Sequence, residues 1–245
     1  MGAVLLLVSL ACGPTRPAGL QQPLSGKITL ENQHQHDWIL MVLTGADTVI
    51  TTATDPDGAY TIPVLEDGLW AVNIRFPYYV PITDTLEVID GRVMRSIGDR
   101  MLTQALRVQT ATDKITYVLG DSVHIFITVQ SLISEPFTVI SPYCSGLLYL
   151  VRQDTHTLVR VRCILPVISS RTFQPGEIVT RKVLVPWVPG QFPDETPVAP
   201  GLYTIYALWD SLERHFTYPP ESDPAAEAFL RTIGSRQIKL TVPPS

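Results

Sequence analysis

Three short segments of the chain hold residue types that could do chemistry. Tyr143-Cys144-Ser145-Gly146 offers a thiol. A cysteine nucleophile needs a base that takes its proton, and none accompanies this one. His34 and His36 alternate along one side of an extended segment, with Asp37 beside them. Two imidazoles and a carboxylate are weak candidates for a metal ion, since a closed site takes four ligands; a solvated loop is the simpler reading. Asp55 and Asp57 precede Gly58 in a fragment of a calcium-loop pattern. The remaining acidic positions and the terminal Glu are missing, so a β-turn explains them better. No Gly-x-Ser-x-Gly elbow, phosphate-binding glycine loop or His-Glu-x-x-His helix is present. The expectation is a protein with no catalytic residues, no metal and no cofactor, hence not an enzyme.

The elements that would position any site are short strands. Of 245 residues, 45% are hydrophobic and 17% charged, which suits a folded core. Twenty-one prolines and 15 glycines punctuate short apolar runs throughout, a pattern of all-β folds. The net charge is -5 and no Lys/Arg-rich run exists, which argues against nucleic acid as a partner. From 24 to 107, candidate strands lie at 27–30, 38–43, 48–53, 59–64, 69–76 and 84–89. Between them come the turn signals Thr44-Gly45-Ala46-Asp47, Asp55-Pro56-Asp57-Gly58, Glu66-Asp67-Gly68 and Asp90-Gly91. From 110 to 245, further strands are expected at 115–118, 123–129, 137–140, 147–151, 158–162, 179–185, 199–209 and 237–242. The fold class predicted is two antiparallel β-sandwich domains with one short helix near the C-terminus.

That helix is read between 222 and 234. Ser222 or Asp223 can cap it, Pro224 suits its first turn and Gly234 can end it. Ala226, Phe229, Leu230 and Ile233 share one face by the three-and-four rule. The face either covers an open end of the sandwich or docks a partner, which makes Phe229, Leu230 and Ile233 partner-binding candidates.

The first 23 residues speak to compartment. An apolar run from 3 to 11 ends at Cys12-Gly13. It is shorter than the roughly 20 residues a membrane-spanning helix requires and has the length of a signal-peptide core. Small or apolar residues directly before a cysteine resemble a bacterial lipobox, although Ser9 stands where Leu is usual and no Lys or Arg follows Met1. The resemblance implies a signal peptide, a lipidated Cys12 and a membrane anchor. Residues 13–23, rich in Pro, Gly and Gln, would then be a tether. The expected location is the cell envelope, at the outer membrane or cell surface.

Two further resemblances concern the domains. Ser25-Gly26-Lys27-Ile28, Leu43-Thr44-Gly45, Asp55-x-Asp57-Gly58-x-Tyr60, Asp67-Gly68-Leu69-Trp70 and Tyr78-Tyr79-Val80-Pro81 resemble the carboxypeptidase regulatory-like domain. That resemblance covers about a third of the chain. It implies a transthyretin-like Greek-key sandwich and a non-catalytic accessory module. Gly120-Asp121-Ser122-Val123, the central hairpin, Gln174-Pro175-Gly176-Glu177 and Pro200-Gly201-Leu202-Tyr203-Thr204 resemble the intracellular proteinase-inhibitor family, which implies an immunoglobulin-like sandwich.

Besides Cys12, the cysteines are Cys144 and Cys163, at near-equal distances from the loop of the hairpin expected around 154–157. Opposed strand positions and an oxidising compartment favour a disulfide between them. Two free thiols packed as small hydrophobes are the alternative. The function expected is that of a non-catalytic exported lipoprotein, a binding or structural accessory subunit with a protein partner in the envelope. A protease inhibitor is one alternative. A glycan-binding surface module is another, and would need Trp70 or Trp187 exposed as a stacking platform.

Overall fold

The computed structural model describes residues 23–141, 148–153, 156–160, 169–183, 187–189, 198–208 and 224–242. Cys12 and most of the expected tether lie outside these residues, as do Cys144 and Cys163. The lipidation and disulfide expectations therefore concern residues beyond those described.

The first sandwich uses eight strands: β1 (Leu24–Leu30), β2 (Leu40–Thr44), β3 (Val49–Ala53), β4 (Ala59–Ile62), β5 (Gly68–Arg75), β6 (Ile82–Ile89), β7 (Arg92–Val93) and β8 (Arg100–Leu102). One sheet has the order β4-β1-β8 and the other β3-β2-β5-β6-β7. Strict alternation explains the layering. Along β5, Trp70, Val72 and Ile74 are buried while Leu69, Ala71 and Arg75 face solvent. They meet Ile28, Leu30, Met41, Leu43, Ile62 and Leu86 in the space between the sheets. The turns are made by the residues expected. Asp55 Oδ1 accepts from the N–H groups of Asp57 (3.0 Å) and Ala59 (2.8 Å). Gly58 sits at φ +85°, and a Cβ there would lie 2.2 Å from the Ile28 carbonyl oxygen, so only glycine fits. The acidic fragment is thus a turn whose carboxylate is spent on its own backbone.

The second sandwich contains β9 (Leu106–Thr112), β10 (Thr116–Val118), β11 (Ile125–Ser131), β12 (Phe137–Ser141), β13 (Leu148–Gln153), β14 (His156–Arg160), β15 (Ser169–Phe173), β16 (Ile178–Lys182), β17 (Gly201–Leu208) and β18 (Ser235–Thr241). Its sheets are β10-β18-β17-β13-β14 and β16-β11-β9, with β12 and β15 paired separately. The hairpin β13–β14 forms in the register Val151↔Val159. Residues 106–112, where the sequence suggested a domain boundary, are a strand paired with β11 along its length. The join between sandwiches is therefore only the few residues between β8 and β9. The helix α1 (Pro224–Thr232) lies between β17 and β18, as expected.

Candidate functional site

The apolar face of α1 was the candidate surface for contact with a partner. The structure places it against loops of the first sandwich. Phe229 is 1% exposed, Leu230 2% and Ile233 7%. The Phe229 ring centroid lies 5.4 Å from that of Tyr78 and 6.5 Å from that of Phe76, in tilted geometry. Phe76 in turn meets Tyr79 edge-on at 5.7 Å. These three belong to the connection between β5 and β6 in the first sandwich. The partner-binding reading of Phe229, Leu230 and Ile233 is thus corrected. Their apolar face is covered within the chain, because packing a helix against aromatic rings removes it from water.

Charged groups complete the clamp. Arg231 Nη2 approaches both carboxylate oxygens of Asp37 at 2.7 Å. One turn earlier along the helix, Glu227 pairs with Arg152 of β13 at 2.9 Å. The Arg152 side chain is only 6% exposed and that of Glu227 32%, so the guanidinium end of the pair is shielded from solvent. One helix thereby grips β13 of its own sandwich and the β1–β2 loop of the other.

The short join between sandwiches is held equally firmly. The N–H groups of Ala105 and Leu106 both donate to the Tyr78 carbonyl, at 2.9 and 3.1 Å, and Val80 N–H donates to Thr103. Gln104 N–H donates to Glu31 Oε2 (2.9 Å), and Asn32 Nδ2 donates to Gln104 Oε1 (3.2 Å). Across the other side, Leu132 N–H donates to the Ala105 carbonyl. Tyr78 adopts φ +65°, an uncommon conformation for a bulky residue. It turns one carbonyl toward two donors of the join.

The histidine loop is structural rather than ligating in its geometry. His36 Nδ1 accepts from the Leu30 N–H at 3.0 Å. That bond requires the neutral ring with its proton on Nε2. Burial holds the His36 pKa below the ordinary histidine value, with Lys27 and His34 pushing the same way. The His36 carbonyl accepts from the Thr54 hydroxyl. Asp37 is taken by Arg231, and His34 is exposed. Among the described residues, no group of three or more His, Cys, Asp or Glu side chains is placed to hold a metal ion. Trp70 and Trp187 are both buried, so neither offers a stacking face.

A feature the sequence reading passed over is the outer edge of β3. Gly45 N–H donates to Thr48, and Thr54 N–H donates to Ile39. Between these points Leu43 faces Ile50 and Met41 faces Thr52. In an antiparallel ladder bonded pairs alternate, so residues 48, 50, 52 and 54 turn their backbone groups toward β2. The N–H and C=O groups of Val49, Thr51 and Ala53 therefore point outward. Val49 is 63% exposed. The nearest strand on that side, β4, touches β3 through a side chain, the Thr52 hydroxyl donating to the Thr61 carbonyl at 3.3 Å. No backbone bond joins β3 to β4 among the described residues. The β propensity of Val-Ile-Thr-Thr-Ala was legible, but which strand would be left at an edge was not.

No protein-family model and no curated protein sequence matches the chain. Both domain resemblances consequently rest on the motifs alone. Solved structures overlap it loosely. A DUF3823 family protein from Bacteroides ovatus is 10% identical, with 91% of this chain and all of that one covered at a TM-score of 0.30. BcpA, the major pilin subunit of Bacillus cereus, is 13% identical over 90% of this chain and 69% of its own, at 0.31. A β-glucosidase from Listeria innocua is 12% identical over 56% of this chain, at 0.30. The chain spans 16% of that enzyme's length. Overlaps this loose bear on no function, and the all-β fold rests on the strand pairing described above.

Proposed function

We propose that this chain is an exported, lipid-anchored accessory protein of the bacterial cell envelope that acts by binding and by holding a partner in place. One observation carries the reading: α1 clamps the two sandwiches into a single unit through Phe229, the Asp37–Arg231 pair and the Arg152–Glu227 pair. A rigid pair of sandwiches suits a spacer or docking subunit, because binding loses less entropy when the contact surfaces are already fixed. Cys12 would carry the acyl chains, and residues 13–23 would hold the unit off the membrane. A Cys144–Cys163 disulfide would fit the oxidising compartment; it would stabilise the second sandwich by about 3 kcal/mol on the loop-entropy account. Among the described residues, no helix is long and apolar enough to cross a membrane.

Native purification from membranes of the source cell tests this, with intact-mass analysis and identification of co-purifying proteins. An acylated N-terminus at Cys12 with a reproducible protein partner is the expected result. A soluble chain of unprocessed mass and without partners overturns it. Thiol counting on denatured, unreduced protein checks the bridge, and two reactive thiols per chain refute it.

A further inference from the structure

We infer that the β3 edge is a strand-addition site for an extended peptide of a partner protein, one with β-branched residues flanked by basic ones. This rests on the accessory-subunit reading and names the surface such a subunit would use. Three outward N–H and three outward C=O groups, from Val49, Thr51 and Ala53, form a ladder that lacks a second side among the described residues. Edges of this kind are usually blunted by charge, proline or a bulge. Several other edges here are blunted: β7 and β8 begin with Arg92 and Arg100, β15 carries Arg171, and β16 carries Arg181 and Lys182. The five residues of β3 carry no charge, no proline and no register shift.

The ends of the strand say which occupant fits. Asp47 lies just before β3 and Asp55 just after it, both exposed. In the self-pairing that matches every outward group, Thr51 faces its own copy and Val49 faces Ala53 of the second copy. That register also sets Asp47 opposite the second copy's Asp55 at both ends, like charge against like. A second copy is thereby penalised, whereas a strand with Lys or Arg at each end meets a carboxylate at each end. Backbone bonds to the three outward residues would supply affinity, and the terminal charges would supply selectivity.

The test is amide hydrogen exchange, read by NMR on the full chain. The probe is a nine-residue peptide of alternating valine and threonine with arginine at both ends, so that its ends fall opposite Asp47 and Asp55. In the free protein, the amides of Ile50 and Thr52 should exchange slowly and those of Val49, Thr51 and Ala53 rapidly. Added peptide should slow the latter three by at least about tenfold, a tenfold change being 1.4 kcal/mol. A peptide with glutamate at both ends should bind about fivefold or more weakly, and the difference should shrink in high salt. Thr51→Pro removes an outward N–H that β2 does not use, so it should abolish binding with the fold retained. Asp47→Lys offers a second check that leaves the backbone intact, since it should erase most of the preference for arginine ends. No protection by peptide overturns the inference. So does protection of the three amides before peptide is added, whether from a second copy or from elsewhere in the chain. An unlipidated chain would sink the envelope reading while leaving this result standing, so the two can fail separately.

Discussion

Helix α1 and strand β3 are both incomplete by themselves, one in apolar surface and the other in hydrogen bonds. The helix is completed inside the molecule, where Phe229 meets Phe76 and Tyr78 and Arg231 meets Asp37. Among the described residues, the strand is completed on one side only, by β2. An apolar stripe left in water costs free energy continuously, so a chain able to fold it away does so. An unpaired backbone edge costs little in water, because solvent satisfies its groups. The first kind of incompleteness holds the fold together, and the second can remain available for binding.

Substitutions can break this contrast, and the largest effect belongs at the clamp. Phe229→Ala should destabilise the protein by about 4 kcal/mol through lost burial and a cavity between the sandwiches, measured by urea unfolding. A loss below about 1 kcal/mol would mean that the face is not closed in solution. Next comes Glu227→Ala, which leaves the shielded Arg152 without this carboxylate. A cost of about 1.5 kcal/mol is expected for the lost charged hydrogen bonds, since Glu227 is 32% exposed, and Glu227→Gln should recover part of it. A pH dependence should follow from His36, whose pKa is depressed in the folded state. The unfolded chain binds the proton more readily, so this contribution to stability is complete above pH 6.5. It is lost as pH falls through the lower folded value. Melting temperatures between pH 7.5 and 5 should fall more in the natural protein than in His36→Asn; identical slopes would remove His36 from the account. Arg231→Ala should cost only about 0.5 kcal/mol, because Arg231 is 44% exposed and water screens the pair. That loss should disappear in high salt. Smallest of all is the intrinsic effect of Thr51→Pro, below about 0.5 kcal/mol in either direction. A large loss there would show that the β3 edge is part of the packed fold.

Strands that alternate cleanly between apolar and polar residues were legible in the sequence. Those at 69–76, 84–89 and 123–129 are found within a few residues of their expected limits. The helix was legible from its proline and its apolar stripe; the expected cap, Ser222 or Asp223, lies outside the described residues. What escaped has a physical reason in each case. In β9 the inward positions are Leu106, Val108 and Thr110, and the last of these is polar. The Thr110 hydroxyl accepts from Ala207 N–H and donates to the Gly234 carbonyl, both at 2.8 Å. A hydrogen-bonded core threonine hides a strand from any reading of apolar alternation. The strands β7 and β8 have two and three residues, too few to show a period. The helix face was legible as apolar, but nothing in its spacing chose between covering the sandwich and docking a partner, or named Phe76 and Tyr78 as the cover. Likewise Asp37 beside two histidines suggested ligation, while its actual partner, Arg231, lies 194 residues away in sequence.

That separation has a consequence for the order of events during synthesis. The first sandwich contains its own strands and turns and can assemble as soon as β8 has emerged. Its aromatic patch at Phe76 and Tyr78 then stays uncovered until α1 arrives, after most of the second sandwich has been delivered. During that delay the half-finished molecule exposes the kind of surface that holding chaperones recognise and that aggregates grow from. Closure of α1 would be a late, long-range step in folding. A chain truncated before it would be soluble only as long as something else occupied those rings.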